Sequence, residues 1–213
     1  MVDFAALADS VIKGNAGLAK QLTEQAVSEG VDGREIMNSG LIAGMEVVGR
    51  KFKANEFYLP EVLVAARAMH AGLDVVKPLL EEGGAEPVGH VIIGTVKGDL
   101  HDIGKNIVAM MLTGAGFEVE DLGADVPAER FIESVKRHKR CVVGMSALLT
   151  TTMLNMREVI VALNEAGLGD KVRTIVGGAP VSESFAAEIA AGDYAQDAAT
   201  AVEKVRALFE ELK

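Results

Sequence analysis

Asp99 and His101 stand two residues apart in the segment Gly98-Asp-Leu-His-Asp-Ile-Gly-Lys-Asn106, and a carboxylate and an imidazole at that spacing can do metal chemistry. On an extended segment, side chains two residues apart reach the same side. The carboxylate accepts the proton of one ring nitrogen, which fixes the tautomer and leaves the lone pair of the other for a metal. Gly98 and Gly104 bracket the pair and let backbone approach something bulky. Three readings of the segment compete. As a solvated turn, its histidine merely caps the next helix. As a phosphate loop, Gly98 to Gly104-Lys105 imitates Gly-x-x-x-x-Gly-Lys-Ser/Thr, but five residues separate the glycines and Asn106 replaces the hydroxyl that would hold magnesium. As a metal-ligating histidine backed by an aspartate, it has the spacing Asp-x-His-x-x-Gly behind a buried strand, and this reading is preferred.

The elements that must position the pair are a strand and a helix. Val91-Ile-Ile-Gly-Thr-Val96 precedes the segment and Ile107-Val-Ala-Met-Met-Leu112 follows it. In an open α/β sheet, a loop at the carboxyl end of a strand faces the crevice where ligands bind. From about Val88 onward strand and helix patterns alternate. Strands are expected at 89–96, 117–122, 141–145 and 173–176, with a short fifth near Asp193-Tyr194; helices are expected at 103–113, 128–137, 153–166, 182–190 and 198–212. Gly114-Ala115-Gly116 follows a helix instead of a strand, so it reads as a helix C-cap and not as a nucleotide fingerprint. The fold class is a flavodoxin-like (Rossmann-type) doubly wound parallel sheet. Two more loops then fall on the edge that carries His101. The third strand leads into Ser146-Ala-Leu-Leu-Thr-Thr-Thr152, the fourth into Gly177-Gly178-Ala179-Pro180. N-cap hydroxyls and turn glycines explain each loop alone, but not their coincidence with Asp99 and His101.

Residues 1–82 read as a four-helix bundle, with helical patches at 4–12, 16–28, 34–53 and 60–82. Leu59, Val62, Ala66, Met69, Leu73, Val76 and Leu80 recur at alternating spacings of three and four, which is one helix face; Met37, Leu41, Met45, Val48 and Phe52 make a similar stripe. Gly40, Gly44 and Gly49 weaken a helix, so they mark close helix contacts. Met45, Met69 and His70 read as ordinary core. Gly83-Gly-Ala-Glu-Pro87 is the linker, leaving 88–213 as the second domain.

The 213 residues are 49% hydrophobic and 24% charged, with no low-complexity tract and no apolar run near the roughly 18 residues of a membrane span. The first residues lack the basic region and apolar core of a secretory signal, and the single Cys141 lies in an apolar run, which points to a cytoplasmic protein with a buried thiol. A net charge of −10 argues against a nucleic-acid partner. The one basic run, Lys136-Arg-His-Lys-Arg140, reads as a solvated helix terminus.

Gly98-Asp-Leu-His-Asp-Ile-Gly-Lys-Asn106, Ser146-Ala-Leu-Leu-Thr150 and Gly177-Gly178 together resemble the cobalamin-binding domain of methionine synthase and of the corrinoid proteins of methyltransferase systems. The helical half, with Phe57-Tyr-Leu-Pro-Glu61, is similar to the helical cap of the same proteins, so the resemblance runs from about residue 5 to 212. It implies a cobalamin or related corrinoid bound base-off, with His101 replacing the cofactor's own base as lower ligand of cobalt. Asp99 would partner the histidine, and Thr152 matches the serine that continues the chain in methionine synthase. Cofactor contacts are implied at Gly98, Asp102, Ile103 and Gly104. The nucleotide tail would thread past Ser146, Leu148 and Thr150 to Gly177 and Gly178, with Tyr194 near the end of its path. Phe57, Tyr58, Val62 and Met69 of the cap would cover the methyl-bearing face. Methyl-Co(III) prefers a lower ligand and Co(I) needs none, so the histidine would bind and release. The implied function is a methyl carrier, a non-catalytic corrinoid subunit between a substrate-specific methyltransferase and a second methyltransferase serving tetrahydrofolate or coenzyme M, with a reductive activase as a further partner. Two alternatives stand beside it: the cobalamin subunit of an adenosylcobalamin mutase, which lacks such a cap, and a cobalamin-dependent regulator, which would need a basic recognition helix that is not evident.

Overall fold

Apolar residues spaced three and four apart bury one face of each helix in the first half of the chain. The computed structural model describes residues 3–82 and 87–212. These fall into two compact units, one within residues 3–87 together with Thr113–Gly116, the other within Val88–Leu112 and 117–212. The linker expected at 83–87 lies, apart from Pro87, outside the described residues.

The helical unit comprises α1 (Phe4–Ile12), α2 (Ala16–Ser28), α3 (Gly33–Ile36), a π-helical turn at Met37–Ile42, α4 (Ala43–Lys53) and α5 (Leu59–Glu82). Side-chain caps start the first three: Asp3 accepts from the Ala6 amide, Asn15 from Leu18 and Asp32 from Arg34. The α5 stripe is inward-facing, with Val62, Ala66, Met69 and Val76 buried. Two of the three flagged glycines mark close contacts. A Cβ on Gly40 would lie 2.4 Å from Leu7 Cδ2, and one on Gly44 would lie 2.8 Å from the Ala8 carbonyl oxygen. Gly72 does the same in α5, against Leu41 and Thr23. Two expectations need correction. The helix expected at 34–53 is interrupted by the π turn, and His70 is exposed, because it sits one position off the Met69, Leu73 and Val76 face.

The second unit is a five-stranded sheet, β1 (His90–Thr95), β2 (Glu118–Asp121), β3 (Cys141–Ser146), β4 (Val172–Gly177) and β5 (Asp193–Ala195), all parallel in the order β2-β1-β3-β4-β5. Its helices are α6 (Ile103–Gly114), α7 (Ala128–Val135), α8 (Asn155–Glu165), α9 (Glu183–Glu188) and α10 (Ala198–Glu210). Ile92, Val143, Phe131, Met156 and Leu163 lie in one core, and the β1 and β3 strands are buried almost throughout, as strands covered on both faces must be. The register pairs Thr95 with Ser146, Ser146 with Gly177 and Gly177 with Ala195, so four strands end level. Their following loops therefore share one edge. Gly116, at a φ of 88°, closes α6 with Phe117 N–H donating to the Leu112 carbonyl, the cap expected there. The basic run is less solvated than expected: α7 ends at Val135, Arg137 pairs with Glu120, and the Arg140 guanidinium lies 4.7 Å from the Phe209 ring centre. Among the described residues no helix is long and apolar enough to cross a membrane.

Candidate functional site

The turn that follows β1 buries the carboxyl group of Asp99 completely and leaves the His101 side chain 52% exposed. Every oxygen of that carboxyl is engaged. Oδ1 lies 2.8 Å from His101 Nδ1 and accepts the His101 amide at 3.0 Å. Oδ2 accepts the Thr152 hydroxyl at 2.6 Å and the amides of Leu148 and Leu149 at 2.8 and 3.3 Å. Burial by itself would disfavour the charged form, but the Thr152 hydroxyl, the Leu148 and His101 amides and the imidazole hold the carboxyl well below the usual carboxylate range. An ionised Asp99 accepts the Nδ1 proton, which puts the free lone pair on Nε2, for which no protein partner occurs among the described residues.

Two loops meet at this carboxyl. Leu148 and Leu149 offer their amides because the chain turns out of β3 beside the end of β1, where Val96 N–H donates to the Ser146 carbonyl. Thr152 then donates to Asp99 and also approaches the Leu149 carbonyl at 3.0 Å, which tightens the turn, so α8 begins at Asn155, two residues later than expected. The Thr152 methyl packs 3.5 Å from where a Cβ on Gly98 would stand, at a φ of +79° that favours glycine.

The other expected site residues are placed as follows. Asp102 accepts from the Asn106 side chain within the first turn of α6. Ile103 is 72% exposed, and Gly104 carries open space where a side chain would be. Ser146 is half-buried at the end of β3, while Leu148 and Thr150 are exposed on the loop after it. Gly177 and Gly178 end β4 on the same edge. Their absent side chains face backbone: a Cβ would lie 2.9 Å from the Ala195 carbonyl oxygen at Gly177 and 1.9 Å from that of Ala147 at Gly178. Tight crossing of the strand ends thus suffices to require both glycines. Tyr194 is half-buried against the sheet core. Tyr58 and Met69 lie in the helical unit, Tyr58 exposed before α5 and Met69 buried within it. Lys105, part of the imitation phosphate loop, is buried and bonded to Asp121, 2.5 Å from its Oδ2, so it is unavailable to a phosphate.

Sequence reasoning passed over Asp125 and Asn155. Asp125 accepts from the Gly98 amide at 2.6 Å, and Asn155 donates to the Lys97 carbonyl at 2.6 Å. The signal for Asp125 is its place after β2, on the same sheet edge as the loops that follow β1, β3 and β4.

The arrangement suits a metal that brings its other ligands with it. Among the described residues no group of three or more His, Cys, Asp or Glu side chains could hold a metal ion, so the protein offers one nitrogen. Around it Leu100, Ile103, Leu148 and Leu149 are exposed, an apolar collar that a flat macrocycle would cover. The residues present therefore fit a base-off corrinoid.

Comparison with known proteins agrees. A family model described as a B12 binding domain matches residues 89–206, and a second of that description matches residues 4–77. Trimethylamine corrinoid protein 1 of Methanosarcina acetivorans is 45% identical, covering 94% of this chain and 94% of its own. Dimethylamine corrinoid protein of Methanosarcina barkeri is 44% identical over 95% of each. The crystal structure of the methanol:cobalamin methyltransferase complex from Methanosarcina barkeri contains a chain that superposes with a TM-score of 0.87 at 33% identity, covering 97% of this chain and 79% of that one.

Proposed function

The chain belongs to the family of corrinoid proteins built from B12 binding domains, and from that premise we infer that it is a methyl carrier working with methyltransferases. The trimethylamine and dimethylamine corrinoid proteins it resembles do not favour a mutase subunit or a regulator. When bound, the corrinoid's cobalt accepts and gives up the methyl group.

The chain's own residues bind and orient. His101 would offer Nε2 to the cobalt, and Asp99 keeps the imidazole in the tautomer that makes this possible. Thr152 and the Leu148 amide keep Asp99 ionised while it is buried. Gly98, Asp102, Ile103 and Gly104 would contact the corrinoid, and Ser146, Leu148, Thr150, Gly177 and Gly178 would receive its nucleotide tail. As further partners we propose a second methyltransferase serving tetrahydrofolate or coenzyme M on the acceptor side and a reductive activase. We assign the choice of donor to the partner enzyme.

The observation that carries this reading is the Thr152–Asp99–His101 chain, which ends in an unpartnered Nε2. The test is methyl loading. Corrinoid-loaded protein, reduced with titanium(III) citrate, is mixed separately with trimethylamine, dimethylamine and methanol methyltransferases and their substrates. Stoichiometric methylation of cobalt with at least one pair is expected. Failure with all three, in protein that iodomethane still methylates, would contradict it.

A further inference from the structure

We propose that Asp125 is a positioning residue for the His101 ligand, acting through the backbone on either side of Asp99; the proposal rests on His101 being the lower ligand. Asp125 makes two opposed bonds to that backbone. Its Oδ1 accepts the Gly98 amide at 2.6 Å, and its own amide donates to the Asp99 carbonyl at 2.9 Å. Together they clamp Gly98 and Asp99, the residues just before Leu100 and the histidine. Thr152 and the Leu148 and Leu149 amides hold the Asp99 side chain, whereas Asp125 holds backbone, so neither set of bonds duplicates the other.

The clamp is anchored to the sheet. Leu122 N–H donates to the Ile93 carbonyl, Thr95 N–H to Gly123, and Val126 N–H to Thr95, so the loop carrying Asp125 continues the β1–β2 pairing as far as the bridge between Val96 and Val126. Asp125 is also at a φ of +55°, a left-handed conformation that aspartate tolerates better than most residues and that persists only where its surroundings hold it. A strained residue whose side chain and amide both close on the ligand loop positions that loop.

Cobalt(II) keeps a lower ligand and cobalt(I) does not, so the Co(II)/Co(I) midpoint potential reads how firmly the imidazole is held. Two variants separate the roles. Asp125→Asn keeps a side-chain acceptor and tolerates the left-handed conformation. Asp125→Gly keeps the conformation and removes the acceptor. The measurement is redox titration of full-length, cobalamin-loaded protein, with thermal melts of the same samples. Removing one charge-assisted hydrogen bond from the loop is expected to weaken histidine binding to Co(II) about tenfold. That raises the midpoint by about 59 mV in Asp125→Gly. Asp125→Asn, which keeps a neutral acceptor, should move the midpoint by clearly less than Asp125→Gly does. A lowered melting temperature with an unmoved potential in Asp125→Gly would overturn the proposal, as would a shift in Asp125→Asn equal to that in Asp125→Gly. Wild-type protein with no histidine ligated to cobalt would overturn the reading beneath it, and that result is seen before any variant is made.

Discussion

At the scale of the residue, Asp99 must be buried to face the histidine and must stay ionised to be useful. Thr152 resolves that conflict, since its 2.6 Å bond is charge-assisted and shielded from water. Thr152→Ala is expected to lose about 1.5 to 3 kcal/mol of stability, the usual effect of leaving a buried charge short of one donor, and Thr152→Ser should recover most of it. Urea unfolding of the cofactor-free protein measures both; equal stability of the alanine and serine variants would show that the hydroxyl does not support Asp99. The Asp-x-His spacing was legible in the sequence because it is local. The partnership with Thr152, fifty-three positions away, came from resemblance alone, which left open whether threonine could do it. The structure answers through Gly98, where the extra methyl finds room beside a residue without a side chain. Asp125 was missed because its loop lacks an obvious chemical group pattern, although its position on the sheet edge was available.

At the scale of the element, glycines divide into those that packing demands and those it does not. Gly44 brings α4 against α1, and a methyl there meets the Ala8 carbonyl oxygen and Val11 Cβ, each at 2.8 Å. Overpacking of about 1 to 3 kcal/mol exceeds the roughly 1 kcal/mol that alanine gains in helix propensity, so Gly44→Ala should be destabilising. Gly17 of α2 is exposed, with only Asn15 nearby, and Gly17→Ala should be neutral or slightly stabilising. Melting temperatures that move the same way in both variants would contradict the packing argument. Glu120 ties β2 to α7. Although burial opposes its ionisation, the Ser134 hydroxyl, Arg137 and His138 lower its pKa. A depressed folded pKa means that the contribution is present above the ordinary glutamate value, about 4.3, and is lost as pH falls through the folded value. The stability advantage of wild type over Glu120→Gln, up to about 1 kcal/mol at pH 7 for a pair this exposed, should therefore shrink as pH falls below about 4. Thermal melts across that range would contradict it if the gap held constant. Helix and strand positions were legible from apolar periodicity. The π turn was not, although the stripe Met37, Leu41, Met45 takes two successive steps of four, longer than an α-helix allows on average.

At the scale of the whole molecule, function depends on strands that end together. The level register of Thr95, Ser146, Gly177 and Ala195 turns three loops, far apart in sequence, into one edge. This convergence was legible because a parallel sheet leaves its post-strand loops only one side to occupy. The glycines of the β4 loop were legible as glycines, but the backbone crossing that demands them depends on tertiary distances that no local pattern carries. The central claim is that this edge holds a corrinoid through His101. The most direct measurement is the ultraviolet-visible spectrum of the protein after reconstitution with methylcobalamin and desalting, beside His101→Ala treated identically. Wild type should retain corrinoid with a base-off, histidine-ligated spectrum, and the variant should lose that signature. Absence of retained corrinoid in wild type, or a spectrum indifferent to the substitution, would contradict the account.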